Sequence, residues 1–467
     1  MDEVERMSMS MASAQRPMRK PMWQTMAVFL IPLMLSNALQ SVGQLIGSIV
    51  VGRWIGVNAL AAISAFFPLF FLLVSVAIGI GTGSAILIGQ AYGARNHERL
   101  KAIVGNSLTV TFLLGVIFAA LGGVFTVDIL RLTGTPENVL ATSAHYARVL
   151  FWSLPVMFLY LVYTTLLRGT GDSKTPFYLL SINTGLNLAL LPVFTFGWLG
   201  VPKLGVYGPA YASMVSTVLT LIVMIFWLSK VKHPLQFDTT VRKHLRLDFA
   251  LLKLILRLGV PSSLGMILFS LSEIAVITFV NQFGSDATAA YGAVNQVVGY
   301  VQMPAISIGV TVSIYTAQSI GAHQLDRLRE VFRAGIALNY VLGGALIVLV
   351  YVLAQGILSL FLTSTSTLRM AHTLLMMTLW SYLVFGHAQV VSATMRASGT
   401  VLWPLVFSVG SIWGMEVPVA YVLSHYTDLG IRGIWLGYPA GFLVSLSLQY
   451  AYYRLSWKTK TITRLVQ

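Results

Sequence analysis

Residues 89–94 read Gly89-Gln90-Ala91-Tyr92-Gly93-Ala94, and Glu98-Arg99-Leu100-Lys101 follows four residues later. Shifted by 228 positions, the chain repeats itself: Gln318-Ser319-Ile320-Gly321-Ala322 precedes Asp326-Arg327-Leu328-Arg329. The same shift pairs Gly56, Ala59, Ala61 and Ala62 with Gly284, Ala287, Ala289 and Ala290. It also pairs Leu167-Arg168-Gly169-Thr170-Gly171 with Met395-Arg396-Ala397-Ser398-Gly399, and Pro176 with Pro404. A bias towards small residues could produce one Gly/Ala match. It does not produce one offset across three separated blocks, so the chain reads as two copies of one unit.

The unit is made of membrane spans. The 467 residues are 56% hydrophobic and 10% charged, where a soluble domain carries roughly 25% charged residues. With mean hydropathy at +0.79, too little polar surface exists to coat a soluble globule. Apolar runs of about 20 residues or more recur, each long enough to cross a ~30 Å hydrocarbon core as a helix. The ~10-residue alternating segments of a membrane β-barrel are not seen. Spans are predicted at 23–51, 57–90, 101–127, 139–168, 174–197, 206–228, 249–282, 286–320, 327–357, 367–396, 402–424 and 431–455. The first is too long for a signal-peptide core and is read as an uncleaved span. Cys is absent, which excludes disulfides, thiol catalysis and Cys-based metal sites.

A net charge of +15 would suggest nucleic acid in a soluble chain. Its distribution says otherwise. Of the 30 Lys and Arg, 24 fall on one side of the predicted spans, and the other side receives only Arg53, Arg131, Arg148, Lys203, Arg369 and Arg432. Basic residues collect on the cytoplasmic face. Both termini are therefore expected in the cytoplasm of a multi-pass plasma-membrane protein (bacterial inner membrane), with no nucleic-acid partner. The expected division is a cytoplasmic segment 1–22, a six-helix lobe 23–228, a polar linker 229–248, a second lobe 249–456 and a tail 457–467. Six spans return the chain to its starting side, so the repeats are parallel and enclose a central cleft able to open alternately to either face.

The repeated blocks, with Leu167-Arg168-Gly169-Thr170-Gly171-Asp172 and Leu204-Gly205-Val206-Tyr207-Gly208-Pro209-Ala210, resemble the MATE (multidrug and toxic compound extrusion) family over about 23–455. That resemblance implies an all-α fold of twelve helices in two lobes around a central cleft. It implies export of organic, often cationic, compounds in exchange for H⁺ or Na⁺, with no other cofactor. It also implies a Glu in helix 7 and a helix 1 that bends. The Asp that many members carry late in helix 1 is missing from Leu45-Ile46-Gly47-Ser48-Ile49-Val50-Val51, and helix 10 lacks the Asp found in some members.

Of the 15 acidic residues, Glu273 and Glu416 lie inside apolar spans seven and eleven, and nearly all the others fall in loops or at interfaces. A lone charge there costs on the order of 2.5–3.5 kcal/mol, unless the carboxyl holds a proton. Both are candidate coupling-ion residues, and both equally fit a protonated Glu that only bonds a neighbouring helix. Both lie in the second copy, so ion coupling is expected there. In the first copy Ser36, Gln40, Gln44 and Ser48 recur every four residues, on one helix face. Asn183 and Asn187 do the same in span five. Gln40, Gln44, Asn183 and Asn187, with Gln296 and His387 in the second copy, are candidate cavity residues, and interhelical hydrogen bonding is the plain alternative for each. Prolines 32, 68, 155, 192, 304, 418 and 439 interrupt spans, and Pro32 is the expected hinge.

The reading is a monomeric secondary antiporter for small organic cations. No phosphate-binding GxxxxGK[ST] loop, HExxH metal motif or GxSxG elbow is present, which argues against ATP drive and against an enzyme. A flippase for a lipid-linked precursor is the second reading, disfavoured because few basic residues lie mid-span. An intramembrane enzyme is a more distant third.

Overall fold

The computed structural model describes residues 21–466 except 56, 133 and 136, and the side chains of these except those of 54, 55, 57–65, 67 and 68. The expected N-terminal segment 1–22, the side chain of Pro68, and Gly56 of the repeat fall largely or wholly outside the described residues. The described residues form helices and connecting turns, with no strand among them. Twelve helical units follow one another: α1 (Met22–Val50), α2 (Val57–Gly93), α3 (His97–Leu132), α4 (Glu137–Gly169), α5 (Lys174–Phe196), α6 (Gly208–Lys230), α7 (Phe249–Asn281), α8 (Ser285–Gly321), α9 (Leu325–Ser359), α10 (Thr365–Thr378 and Ser381–Ala397), α11 (Leu402–His425) and α12 (Ile431–Leu455). Eleven are long and apolar enough to cross a membrane unbroken, and α10 becomes the twelfth if its two segments, bent by 41°, count as one span.

The second half of the chain rebuilds the first at the offset read from the sequence. Shifting α2 and α4 by 228 gives the bounds of α8 and α10, and α2 and α8 are both 37 residues long. The turns repeat as well. Arg95 and His323 both adopt left-handed backbone, with φ of 55° and 56°, and Gly171 and Gly399 do so at 89° and 90°. A non-glycine residue pays for that conformation, so an identical choice in both halves reflects one shared design. The last connection departs in spacing: Gly205 and Gly430, with φ of 54° and 53°, stand 225 apart.

The halves meet where α2 packs on α7 and α8 and where α1 packs on α8, with small residues bringing backbones together. A Cβ on Gly93 would run into the Gln318 carbonyl, and a Cβ on Gly321 into the Gln90 carbonyl. The side chains cross over too. The Gln90 amide donates to the Ala397 carbonyl at 2.9 Å, and the Gln318 amide to the Gly169 carbonyl at 3.0 Å. These bonds are related by the same 228-residue shift. They join the lobes at the end that carries most Lys and Arg. There the tail docks as well, with Leu465 N–H donating to Gln90 Oε1 at 2.8 Å and Trp457 Nε1 to Ser398 Oγ at 2.9 Å.

The segment 231–248 is folded onto the first half rather than extended between the two. Asp238 caps a short helix, Thr239–Lys243, and pairs with Lys101 of α3. Tyr163 Oη donates to the Leu235 carbonyl, and Thr109 Oγ1 donates to the Leu245 carbonyl at 2.8 Å. Asp248 then caps α7 by accepting from Ala250 and Leu251 N–H, while its own N–H donates to Asn106. Each such cap is worth about 0.5–2 kcal/mol.

Candidate functional site

Three irregularities fall inside helices of the second half. α9 loosens into a π turn at Asn339–Gly343, α10 breaks between Thr378 and Ser381, and α11 contains a π turn at Ile412–Glu416. Their counterparts α4 and α5 run without such turns, and α3 departs from helical geometry only at Phe125. In α11 the cause is local. Pro418 has no N–H to donate and its ring crowds the preceding turn, and the widened turn just before it absorbs the conflict. Such insertions cluster at functional positions. Glu416 is the last residue of this one.

Glu416 is 1% exposed, and its Oε2 has no hydrogen-bond partner among the described residues. It packs against α12, where a Cβ on Gly441 would stand 2.8 Å from Glu416 Cβ and 2.9 Å from its Oε2. Glu273, on α7, is half-buried and lies eight residues before Asn281, about 12 Å along the helix. Its Oε2 accepts from Tyr291 Oη of α8 at 2.8 Å and from Tyr438 Oη of α12 at 3.2 Å, and those phenols stand 2.7 Å apart. Tyr382, at the start of the second α10 segment, lies within electrostatic reach of both carboxyls and of Tyr291. Glu416 in turn interacts with Glu273. Two acids and three phenols from five helices thus share one region. Among the described residues neither acid pairs with a basic side chain.

Aromatic packing holds the group. Tyr291 stacks on Trp435 with centroids 6.0 Å apart, and Tyr382 meets Phe442 edge-on at 5.3 Å. The first half has nothing similar in register: at the 228 shift Glu273, Tyr291 and Tyr382 correspond to Leu45, Ile63 and Leu154. A polar constellation has been placed in one copy of a scaffold whose other copy is apolar at those positions.

The remaining candidates divide. Gln40 and Gln44 are exposed on α1, as Gln296 is on α8. Ser36 is buried and bonds the Pro32 carbonyl at 2.8 Å within α1, which Pro32 interrupts. Asn183 donates to Thr220 of α6 at 3.3 Å and Asn187 is half-buried. His387 bonds Tyr340 Oη at 3.0 Å and packs edge-on against Tyr340 and Tyr450. The contacts of Asn183 and His387 cross between helices, whereas that of Ser36 stays within α1. Sequence reading missed Tyr291, Tyr382 and Tyr438, because a Tyr inside an apolar span carries no mark of a carboxylate partner. A cavity of about 450 Å³ lined by Leu108, Phe112, Leu159 and Ile225 is an apolar groove among α3, α4 and α6, remote from both acids.

The repeat seen in the helices is also the repeat of a known family. The MatE family model matches twice, at residues 32–193 and 261–422. The chain belongs to the MatE family. It is therefore a multi-span membrane transporter of the multidrug-efflux type and not an enzyme. The "Probable multidrug resistance protein YoeA" of Bacillus subtilis (strain 168) is 65% identical over 453 residues, covering 97% of this chain and 98% of that protein. Among solved structures, an outward-facing multidrug resistance MATE family transporter of the MOP superfamily matches with a TM-score of 0.85 at 24% identity, covering 94% of this chain and 96% of that one. A MATE crystal structure in the bent conformation matches equally well, with a TM-score of 0.85 at 24% identity over 92% of this chain and 94% of that one. The fold is thus the two-lobed MATE fold, with the two acids in the second MatE repeat.

Proposed function

We propose that this MatE chain is a secondary antiporter that exports small organic cations through a central cleft, driven by ion uptake at Glu273 and Glu416. The observation that carries the reading is the pair of acids, on helices facing one another in the second lobe, with no basic partner among the described residues. Two unpaired carboxylates on packed helices of one lobe repel as anions, so at least one gains by taking up a cation or a proton. That uptake is what a driving gradient can act on. The exposed amides of Gln40, Gln44 and Gln296 would be costly against hydrocarbon, which supports placing them on the cleft, with Asn187 beside it. Pro32 leaves α1 without one backbone bond and supports a hinge there. The division into lobes 23–228 and 249–456, the bacterial inner membrane as location, cytoplasmic termini and function as a monomer belong to the same reading.

The test is transport by reconstituted vesicles. Glu273→Gln should insert and fold normally, bind substrate, and lose gradient-driven efflux to background. Efflux at the wild-type rate would sink the assignment. A protease site added to the tail and cut from one side only fixes the orientation of the vesicles used.

A further inference from the structure

The proposed coupling site leaves the ion open, and the geometry around Glu273 bears on it. Three oxygens form a triangle: Glu273 Oε2, Tyr291 Oη and Tyr438 Oη, with sides of 2.8, 2.7 and 3.2 Å. Each side is a hydrogen-bond distance and has room for one proton. The two phenols bring two protons for three sides. With Glu273 ionised, one side must bring two lone pairs together with nothing between them. A proton on Glu273 supplies the third hydrogen, and each oxygen then donates once and accepts once around a closed ring.

We propose that Tyr291 and Tyr438 are the specificity-determining residues of the coupling site, and that they make it take up a proton in preference to Na⁺. The proposal rests on Glu273 being the coupling residue. Uptake adds one proton to the Glu273 carboxylate and completes the ring. Release removes that proton and opens it, with no other bond formed or broken. A bare cation does not fit within the ring itself. In the plane of the triangle the centre lies about 1.7 Å from each oxygen, inside the roughly 2.3–2.6 Å that a hard cation such as Ca²⁺ keeps from oxygen ligands, so a cation would have to sit outside the ring, where it supplies none of the missing hydrogen. The phenols are not free to retreat. Tyr291 is 2% and Tyr438 5% exposed, Tyr291 stacks on Trp435, and Tyr438 lies 6.3 Å from the Phe442 ring. The titratable groups facing Glu273 are Tyr291 on α8, Tyr382 on α10, Glu416 on α11 and Tyr438 on α12. Asn295, one turn along α8, is an uncharged polar neighbour of the Tyr291 phenol.

The experiment uses purified full-length protein in vesicles, with an imposed pH gradient or an imposed Na⁺ gradient, and infrared difference spectra of the same samples. Wild type should be driven by the pH gradient alone. It should also show a protonated-carboxyl band that disappears in Glu273→Gln. Tyr291→Phe and Tyr438→Phe should each shift that band and move the pH midpoint of efflux, changes a purely packing role would not cause. Drive by Na⁺ alone, or wild-type midpoints and bands in both Phe variants, overturns the ring while leaving Glu273 as the coupling residue. Full efflux by Glu273→Gln instead overturns the coupling assignment itself. Should the Phe variants not fold, absence of a Glu273-dependent carboxyl band in wild type is enough to reject the proposal.

Discussion

At the scale of single residues, Glu416 shows how tightly the second lobe is built around its acids. Gly441 approaches it because it lacks a Cβ: the added carbon would lie 2.8 Å from Glu416 Cβ. Gly441→Ala should therefore press on the carboxyl without changing any charge. Overpacking of this kind costs about 1–3 kcal/mol. The expected outcome is a lowered thermal midpoint in detergent and slower efflux, with Glu416→Gln relieving neither the crowding nor the loss of drive. Thermal unfolding and vesicle efflux of the two variants check this. Glu273 and Glu416 were legible in the sequence because an acid in an apolar run has few explanations. Their phenolic partners were not, since Tyr291 and Tyr438 lie 18 and 165 positions away from Glu273.

At the scale of elements, α2 and α8 decide how the lobes close. Gly93 faces the Gln318 carbonyl and Gly321 faces the Gln90 carbonyl, in two copies of one contact. A methyl group on either glycine forces the helices apart, so Gly93→Ala and Gly321→Ala should both favour the state open at this end. Their effects should match, because the repeat makes the two contacts equivalent. Since the chain has no Cys, one spin label can be placed in each lobe by single Cys substitutions, and the distance between them should lengthen in both variants. The repeated motif around Gln90 and Gln318 was visible as a sequence pattern. Its meaning as a reciprocal crossing of side chains became visible only when the partners Ala397 and Gly169 were in place. The breaks in α9, α10 and α11 had no sequence signature except at Pro418.

At the scale of the whole molecule, the segment 231–248 ties the loops of the first lobe to the start of the second. It contains a titrating contact outside the membrane. Burial pushes His233 below its ordinary value of 6.5, while Asp172, 3.8 Å away, pulls it back up. The folded chain thus holds that proton less tightly than an unfolded one. The docking contribution is complete above pH 6.5 and is lost progressively as pH falls below it. Hydrogen-exchange protection across 231–248, corrected for the intrinsic pH dependence of exchange, should hold above about pH 6.5 and fall as pH drops towards about 5. In His233→Gln the pH dependence should flatten. The segment had been legible only as a polar interval between lobes, because its anchors are single bonds to Tyr163, Thr109, Asn106 and Lys101 on distant helices.

The sequence by itself determined the number of helical units, their parallel duplication and the lobe that carries the acids. Those features are written in properties that act locally: apolar run length against membrane thickness, the side on which basic residues collect, and a motif repeated at one offset. Tertiary structure alone decided which groups meet Glu273, how Glu416 is held against Gly441, and how the two lobes interlock through Gln90 and Gln318. Each of those depends on side chains from different helices approaching within a hydrogen bond or a van der Waals contact. No spacing along one chain encodes a distance of that kind. The asymmetry between the copies was readable as two acids, and the fold turned it into a polar cluster drawn from five helices.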